Sequence, residues 1–319
     1  MAVYTQVSAE RIAALLTRYD VGTLVSAKGI AEGVENSNYL IETTQDRFIL
    51  TLYEKRVNAG DLPFFLSMLD HLASRCQPVP PALSDRKGRQ IQTLADRPAC
   101  LIAFLPGVSP GTPTSAQARS AGAALGGLHQ MLGDFRGERP NSLSLPGWHD
   151  LATRCGNALD TIAAGLGDEV AAELSWLDIH WPSALPRAAI HADLFPDNVL
   201  MLGDEVTGII DFYFACTDIR AYDLAVAHAA WCFTDDGAAF DEAVSTALVA
   251  GYTEAFALTS EERAALPVLA RGAALRFLLT RAWDWLNTPD DALVTRKDPL
   301  AFLRRLEQYR ASPPELFAA

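Results

Sequence analysis

The chain changes its hydrophobic rhythm near residue 105, and that change limits the folds open to it. Up to residue 105, apolar side chains come in short β-like runs: Tyr39 to Thr43, Arg47 to Tyr53, Gln90 to Leu94 and Pro98 to Leu105. Alternation of this kind buries one face of a strand. Thr44-Gln45-Asp46 is the turn between the first two runs, and with the β-like Gly22 to Ala27 they read as three antiparallel strands. Two amphipathic helices accompany them. Ser8 caps the first, with Ile12, Leu15, Leu16 and Tyr19 on one stripe; Asp61 caps the second, which runs to residue 75 and tolerates Pro63 in its first turn. Beyond residue 114 the spacing becomes three to four, and helices are expected over 115–132, 147–164, 168–177, 222–233, 237–257, 260–286 and 299–310. The Pro- and Gly-rich LPGVSPGTPT at 105–114 separates the two textures. The expectation is an α+β chain with a sheet-rich unit over 1–105 and a helical unit over 106–319.

Composition narrows the partners. A length of 319 residues, half of them apolar, can fill two cores. Lys and Arg number 26 against 39 Asp and Glu, and a net charge of −13 disfavours nucleic acid and anionic membranes as partners. No run approaches the ~18 apolar residues that span a bilayer. The first sixteen residues lack the basic start and apolar stretch of a secretory signal. Five cysteines (76, 100, 155, 216 and 232) without a CxxC suit reduced thiols rather than a disulfide frame or a zinc knuckle. Together these features predict a cytoplasmic protein that handles small molecules.

One β-like island, Ala188 to Asp211, interrupts the helical half. Val199 to Leu202 and Val206 to Ile210 flank a three-residue turn, Gly203-Asp204-Glu205, which predicts a hairpin. The simplest register sets Met201 opposite Thr207 and Val199 opposite Ile209, so the open end gathers Asn198 and Asp211. Asp193 and Asp197 enter from the preceding loop. An amide oxygen beside a carboxylate is a hard donor pair suited to Mg²⁺ with phosphate and water. Asp193, five residues before Asn198, is placed to accept a proton from a hydroxyl. Singly, each aspartate could as well cap a turn; three around one short hairpin point to phosphoryl transfer.

HADLFPDN resembles the HGDLHxxN catalytic loop of the aminoglycoside phosphotransferase-like kinases, relatives of the protein kinases, and IIDFYFACTD resembles the metal-binding segment that follows it. The resemblance implies a bilobal protein-kinase-like fold, with a small antiparallel-sheet lobe and a large helical lobe, and ATP and Mg²⁺ as cofactors. By the same likeness Asp193 is the catalytic base, Asn198 and Asp211 are metal ligands, His191 is a scaffold residue of the loop, and Asp223 of the YDLA segment braces it. Ala192 stands where glycine is usual and fits there if its φ is negative. Phe195 replaces the second histidine of the loop.

GVENSNYLI, residues 33–41, resembles a segment of the type II homoserine kinases, a branch of the same superfamily, and the likeness runs over roughly residues 20–310. It implies phosphorylation of the hydroxyl of L-homoserine, a step toward threonine. The nucleotide would then lie on the sheet-rich lobe near Lys28, Gly29, Gly33 and Thr51. Gly29 and Gly33 flank a turn whose amides can approach phosphates, whereas GxxxxGK[ST] is absent and a P-loop is excluded. Relatives carry Lys or Arg on the third strand; here the aligned residue is Thr51, with Lys28, Lys55 and Arg56 nearby.

A zwitterionic acceptor needs a cation for its carboxylate and an acid or carbonyl for its ammonium. The late helix ALRFLLTRAWDWL offers Arg276 and Arg281, and its RF-x-L-x-R pattern is similar to that of homoserine kinases. A plainer alternative pairs Arg281 with Asp284 on the surface and buries the tryptophans. Tyr213 and Asp218, after the metal segment, and the amides of Asn36 and Asn38 are further candidates. His129 and His228 read as packing residues of apolar helices. Three other functions stay open: a kinase of another alcohol such as choline, ethanolamine, methylthioribose or an aminoglycoside; a metal-dependent hydrolase built on His191, Asp193, Asp211 and His228; and a silent nucleotide-binding module, suggested by Thr51.

Overall fold

The computed structural model describes residues 5–30, 36–54, 58–288, 296–311 and 315–317. The chain divides into two compact units, Met1–Pro106 and Gly107–Ala319.

In the first unit, α1 (Ala9–Leu16) precedes β1 (Leu24–Gly29), β2 (Ser37–Thr43) and β3 (Arg47–Leu52); α2 (Leu62–Ala73) then leads to β4 (Gln92–Leu94) and β5 (Arg97–Ala103). The strands form one antiparallel sheet in the order β1-β2-β3-β5-β4. Its register sets Tyr39 opposite Leu50 and Leu50 opposite Leu101. These residues, with Ile41, Phe48 and Leu52, bury one face against Ile12, Leu15 and Leu16 of α1. Asn38, Thr51 and Cys100 line up across the other face. Ser8 accepts from the Arg11 amide as expected. Asp61, however, makes no cap bond to α2; a 3-10 turn, Ala59–Asp61, capped by Asn58, leads into that helix instead.

The second unit contains α3 (Ser115–Met131), α4 (Leu145–Cys155), α5 (Leu166–His180), β6 (Arg187–Ile190), β7 (Val199–Leu202), β8 (Glu205–Ile209), β9 (Cys216–Ile219), α6 (Arg220–Trp231), α7 (Glu242–Ala255), α8 (Ser260–Asn287) and α9 (Leu300–Ala311). Capping boxes, Thr114 with Gln117 and Thr259 with Glu262, start α3 and α8. α4 is shorter than its periodicity predicts because Gly156, at φ +50°, turns the chain out of the helix into a 3-10 segment. α3 and α7 pack at their backbones: a Cβ on Gly122 would lie 2.1 Å from the Leu248 carbonyl oxygen. Every residue of α6 from Ala221 to Trp231 is buried, which makes it the axis of this unit. Among the described residues no helix is long and apolar enough to cross a membrane, and all five cysteines are free thiols.

Candidate active site

Two short strand pairs inside the helical unit set up the site. β6 pairs antiparallel with β9, Ile190 opposite Cys216, a pairing the sequence pattern did not reveal. The loop 191–198 therefore leaves the end of β6 beside the point where residues 211–215 return to β9. β7 and β8 form the expected hairpin, with Val199 opposite Ile209. Its far end differs: Leu202 faces Glu205 and Met201 faces Val206, so the turn holds two residues and a bulge follows Leu200. Gly203, at φ +64°, allows the tighter turn, and the bulged Thr207 donates its hydroxyl to the Leu200 carbonyl at 3.2 Å. The open end is unaffected. The Ile210 amide donates to the Asn198 carbonyl at 3.0 Å, which sets residue 198 beside residues 210 and 211.

His191 locks the loop to this end. Its Nε2 lies 3.0 Å from the Ile210 carbonyl, an acceptor only, and its Nδ1 accepts from the Asp193 amide at 3.2 Å. That pattern requires the neutral ring with its proton on Nε2, and burial pushes the imidazole pKa down accordingly. Asn198 Nδ2 donates to the Asp193 carbonyl at 2.8 Å and to its carboxylate Oδ2 at 3.2 Å. Both partners are acceptors, so the amide orientation is determined and Asn198 Oδ1 is turned away from them. Burial raises the Asp193 carboxyl, with Arg276 and His191 opposing that rise. Arg276 comes from α8 and is 1% exposed. One guanidinium nitrogen donates to the Ala192 carbonyl; another lies 3.8 Å from Asp193 Oδ1.

A second carboxylate braces the loop from below. Asp223 of α6 accepts from the His191 amide at 2.7 Å, the Ala192 amide at 2.7 Å and His129 Nε2 at 3.0 Å. His129 Nδ1 in turn lies 2.7 Å from the Tyr252 hydroxyl. Burial alone would raise the Asp223 carboxyl; the hydrogen bond and charge of His129, with the other donors, hold it below its ordinary value. His129 is therefore more than the packing residue its helix suggests. Sequence offers no pointer to this bond, because His129 and Asp223 are 94 residues apart. Ala192 adopts φ +63°, contrary to the negative φ expected. The left-handed conformation costs a non-glycine residue about 1–2 kcal/mol, and the loop sustains it by fixing the Ala192 amide on Asp223 and its carbonyl on Arg276. Asp211 is likewise left-handed, at φ +63°, where the chain turns from the hairpin into a 3-10 turn, Phe212–Phe214, that contains Tyr213.

Other candidates fall elsewhere. In the first unit, Thr51 is buried and donates its hydroxyl to Asn38 Oδ1 at 2.8 Å. Asn36 Oδ1 accepts from the Glu54 amide at 3.3 Å. Lys28 and Gly29 end β1, opposite Leu40 and Tyr39; Gly33, Lys55 and Arg56 lie outside the described residues. In the second unit, Arg281 donates to the Asp298 carbonyl at 3.2 Å, and its guanidinium lies 4.5 Å over the Phe302 ring. Neither tryptophan beside it is a core residue: Trp285 is exposed, and Trp283 carries Arg154 at 3.8 Å over its ring. Asp218 is held by Asn141 at 2.7 Å and Arg187 at 3.1 Å. His228 bonds Tyr309, Ser245 and the Leu316 carbonyl, apart from His191 and Asp193. Among the described residues no three His, Cys, Asp or Glu side chains gather as a metal cluster, the arrangement a hydrolase reading needs.

The pattern of the family described as "Phosphotransferase enzyme family" matches residues 26–266. The chain is 58% identical over 318 residues to a homoserine kinase of Zymomonas mobilis subsp. mobilis, covering 99% of each chain. It is 51% identical over 311 residues to a homoserine kinase of Sinorhizobium medicae, covering 98% of this chain and 95% of that one. Among solved structures, an amicoumacin kinase in complex with AMP-PNP, Ca²⁺ and Ami superposes with a TM-score of 0.71 at 15% identity, over 97% of this chain and 95% of that chain. A choline kinase from Cryptosporidium parvum gives 0.68 at 13% identity, over 97% and 96%. These neighbours show the bilobal, protein-kinase-like α+β fold.

Proposed function

We propose, because this chain belongs to the phosphotransferase enzyme family, that it transfers the terminal phosphoryl group of ATP to the hydroxyl of L-homoserine. The product is O-phosphohomoserine, on the way to threonine. The observation that carries this reading is the 58% identity, over 99% of both chains, with a homoserine kinase. The site geometry supplies a chemical rationale for it.

Asp193 is the general base. Its carboxylate is oriented by Asn198 on one oxygen and faces Arg276 on the other, and it takes the hydroxyl proton as the oxygen attacks phosphorus. A pKa raised by burial brings a carboxylate nearer the operating pH, which favours this role. His191 and Asp223 hold the loop that presents it. Asn198 and Asp211 fit Mg²⁺ by donor chemistry: the amide bonds of Asn198 leave Oδ1 available, and Asp211 adds one carboxylate. Mg²⁺ held there would neutralise phosphate charge during transfer.

The nucleotide belongs to the first unit, where Lys28, Gly29 and Thr51 are candidates for its phosphates and Asn38 lies beside Thr51. The acceptor belongs to the second, where Tyr213 and Arg281 are candidates for its polar groups. The protein acts in the cytoplasm, in keeping with five free thiols. A panel measuring ADP release with Mg-ATP tests the acceptor. Homoserine should give the highest kcat/KM among homoserine, choline, ethanolamine, methylthioribose and an aminoglycoside. Preference for any other alcohol overturns the acceptor, and absence of ADP with all of them, despite ATP binding, overturns the enzyme.

A further inference from the structure

We propose that Arg276 serves phosphoryl transfer as a positioning residue for Asp193, and does not bind the acceptor's carboxylate. The inference rests on the assignment of Asp193 as base.

Burial argues first. At 1% exposure, the Arg276 guanidinium has no open face for a soluble carboxylate. The rings of Phe277 and Phe214 cover it at 4.5 and 5.4 Å. Its Nε finds no hydrogen-bond partner in this interior. A guanidinium buried so incompletely satisfied is costly, and two groups that reward it are in the catalytic loop: the Ala192 carbonyl and, at 3.8 Å, Asp193 Oδ1.

Geometry argues second. Asn198 Nδ2 holds Oδ2 of the same carboxylate at 3.2 Å. Arg276 faces the opposite oxygen, so the two side chains restrict the carboxylate from both sides. The other nitrogen of the fork reaches the carbonyl of Ala192, the residue whose φ of +63° sets the direction in which Asp193 leaves the backbone. A planar fork spans both points at once, which a lysine cannot do. The consequence is a specific role: Arg276 sets the aim of the base, through backbone and side chain together.

A double-mutant cycle tests this. Kcat and both KM values are measured for Arg276→Met and Arg276→Lys, in the parental chain and in Asp193→Asn. Misaiming a reacting group by about 1 Å can cost about 100-fold, so Arg276→Met should lower kcat by about that factor while both KM values stay within about threefold. Arg276→Lys should recover about tenfold of the loss, by keeping the charge without the fork. In the Asp193→Asn background either substitution should cost less than about threefold, because the group it aims is gone. A tenfold rise in the homoserine KM at unchanged kcat would make Arg276 an acceptor ligand and overturn the proposal. Equal losses with and without Asp193 would overturn it as well. Should Arg276→Met fail to fold, Arg276→Lys completes the cycle alone. Parental turnover by Asp193→Asn itself would overturn the base assignment and this proposal with it, whereas an uncoupled cycle in an enzyme that Asp193→Asn does cripple removes only the role of Arg276.

Discussion

Asp223 and Asp193 hold the two ends of the same loop segment, and burial acts on them with opposite outcomes. Asp223 is fully buried yet accepts three hydrogen bonds, from His129 and the amides of His191 and Ala192, and its carboxyl stays below the ordinary range. Asp193 takes one side-chain hydrogen bond, from Asn198, with Arg276 at 3.8 Å, and its carboxyl is raised. Donor count, more than depth, separates a carboxyl held below its ordinary pKa from one raised above it. The linkage signs follow. Ionised Asp223 stabilises the fold above the ordinary carboxylate pKa, and that contribution is lost as pH falls from that value through the lowered one. Ionised Asp193 opposes folding above its raised pKa, and the opposition fades as pH falls.

The contrast can be broken most directly at Asp193. Asp193→Asn should remove about 10²–10⁴ of kcat, and thermal melts should show a fold as stable as the parent or slightly more so, by up to about 1 kcal/mol. Full turnover in that variant would dissolve the distinction. Asp223→Asn should act in the other direction. An amide there sets an N–H donor against backbone donors, and chemical denaturation should reveal a loss of about 3 kcal/mol at neutral pH; an unchanged unfolding midpoint would mean the brace is dispensable. The smallest effect is expected at Ala192. Ala192→Gly relieves the left-handed strain and should stabilise the chain by about 0.5 kcal/mol once the added freedom of the unfolded glycine is set against it. Destabilisation would show that the methyl group packs better than it strains.

Much of the fold was legible because local signals agreed with tertiary demands. The turn at Thr44-Gln45-Asp46, the Ser8 cap and the stripe Ile12, Leu15 and Leu16 each lie within one element and its neighbour, where period and capping act. The hairpin at 199–209 was visible for the same reason, although its bulge was not: a bulge depends on which side chains must face inward, and the sequence admits either register. The strand β9 escaped notice because CTDI makes sense as a strand only beside β6. The acceptor candidates were the least legible. Arg276 and Arg281 sit on one helix five residues apart, and only packing reveals that the first reaches the 191–198 loop while the second bonds the Asp298 carbonyl.

Residue order alone determined that an amide and two acids would gather near one short ribbon, since two β-prone runs around turn residues point to a hairpin whichever register it takes. What the amino-acid string left open was the state of those groups. Whether an acid is held ionised or has its pKa raised, whether Ala192 is strained, and whether an arginine meets solvent or a carboxylate depend on hydrogen-bond partners brought in from α3, α6 and α8, between 31 and 94 residues away in sequence. Hydrogen bonds and burial act through space, so only the packed helices could settle them.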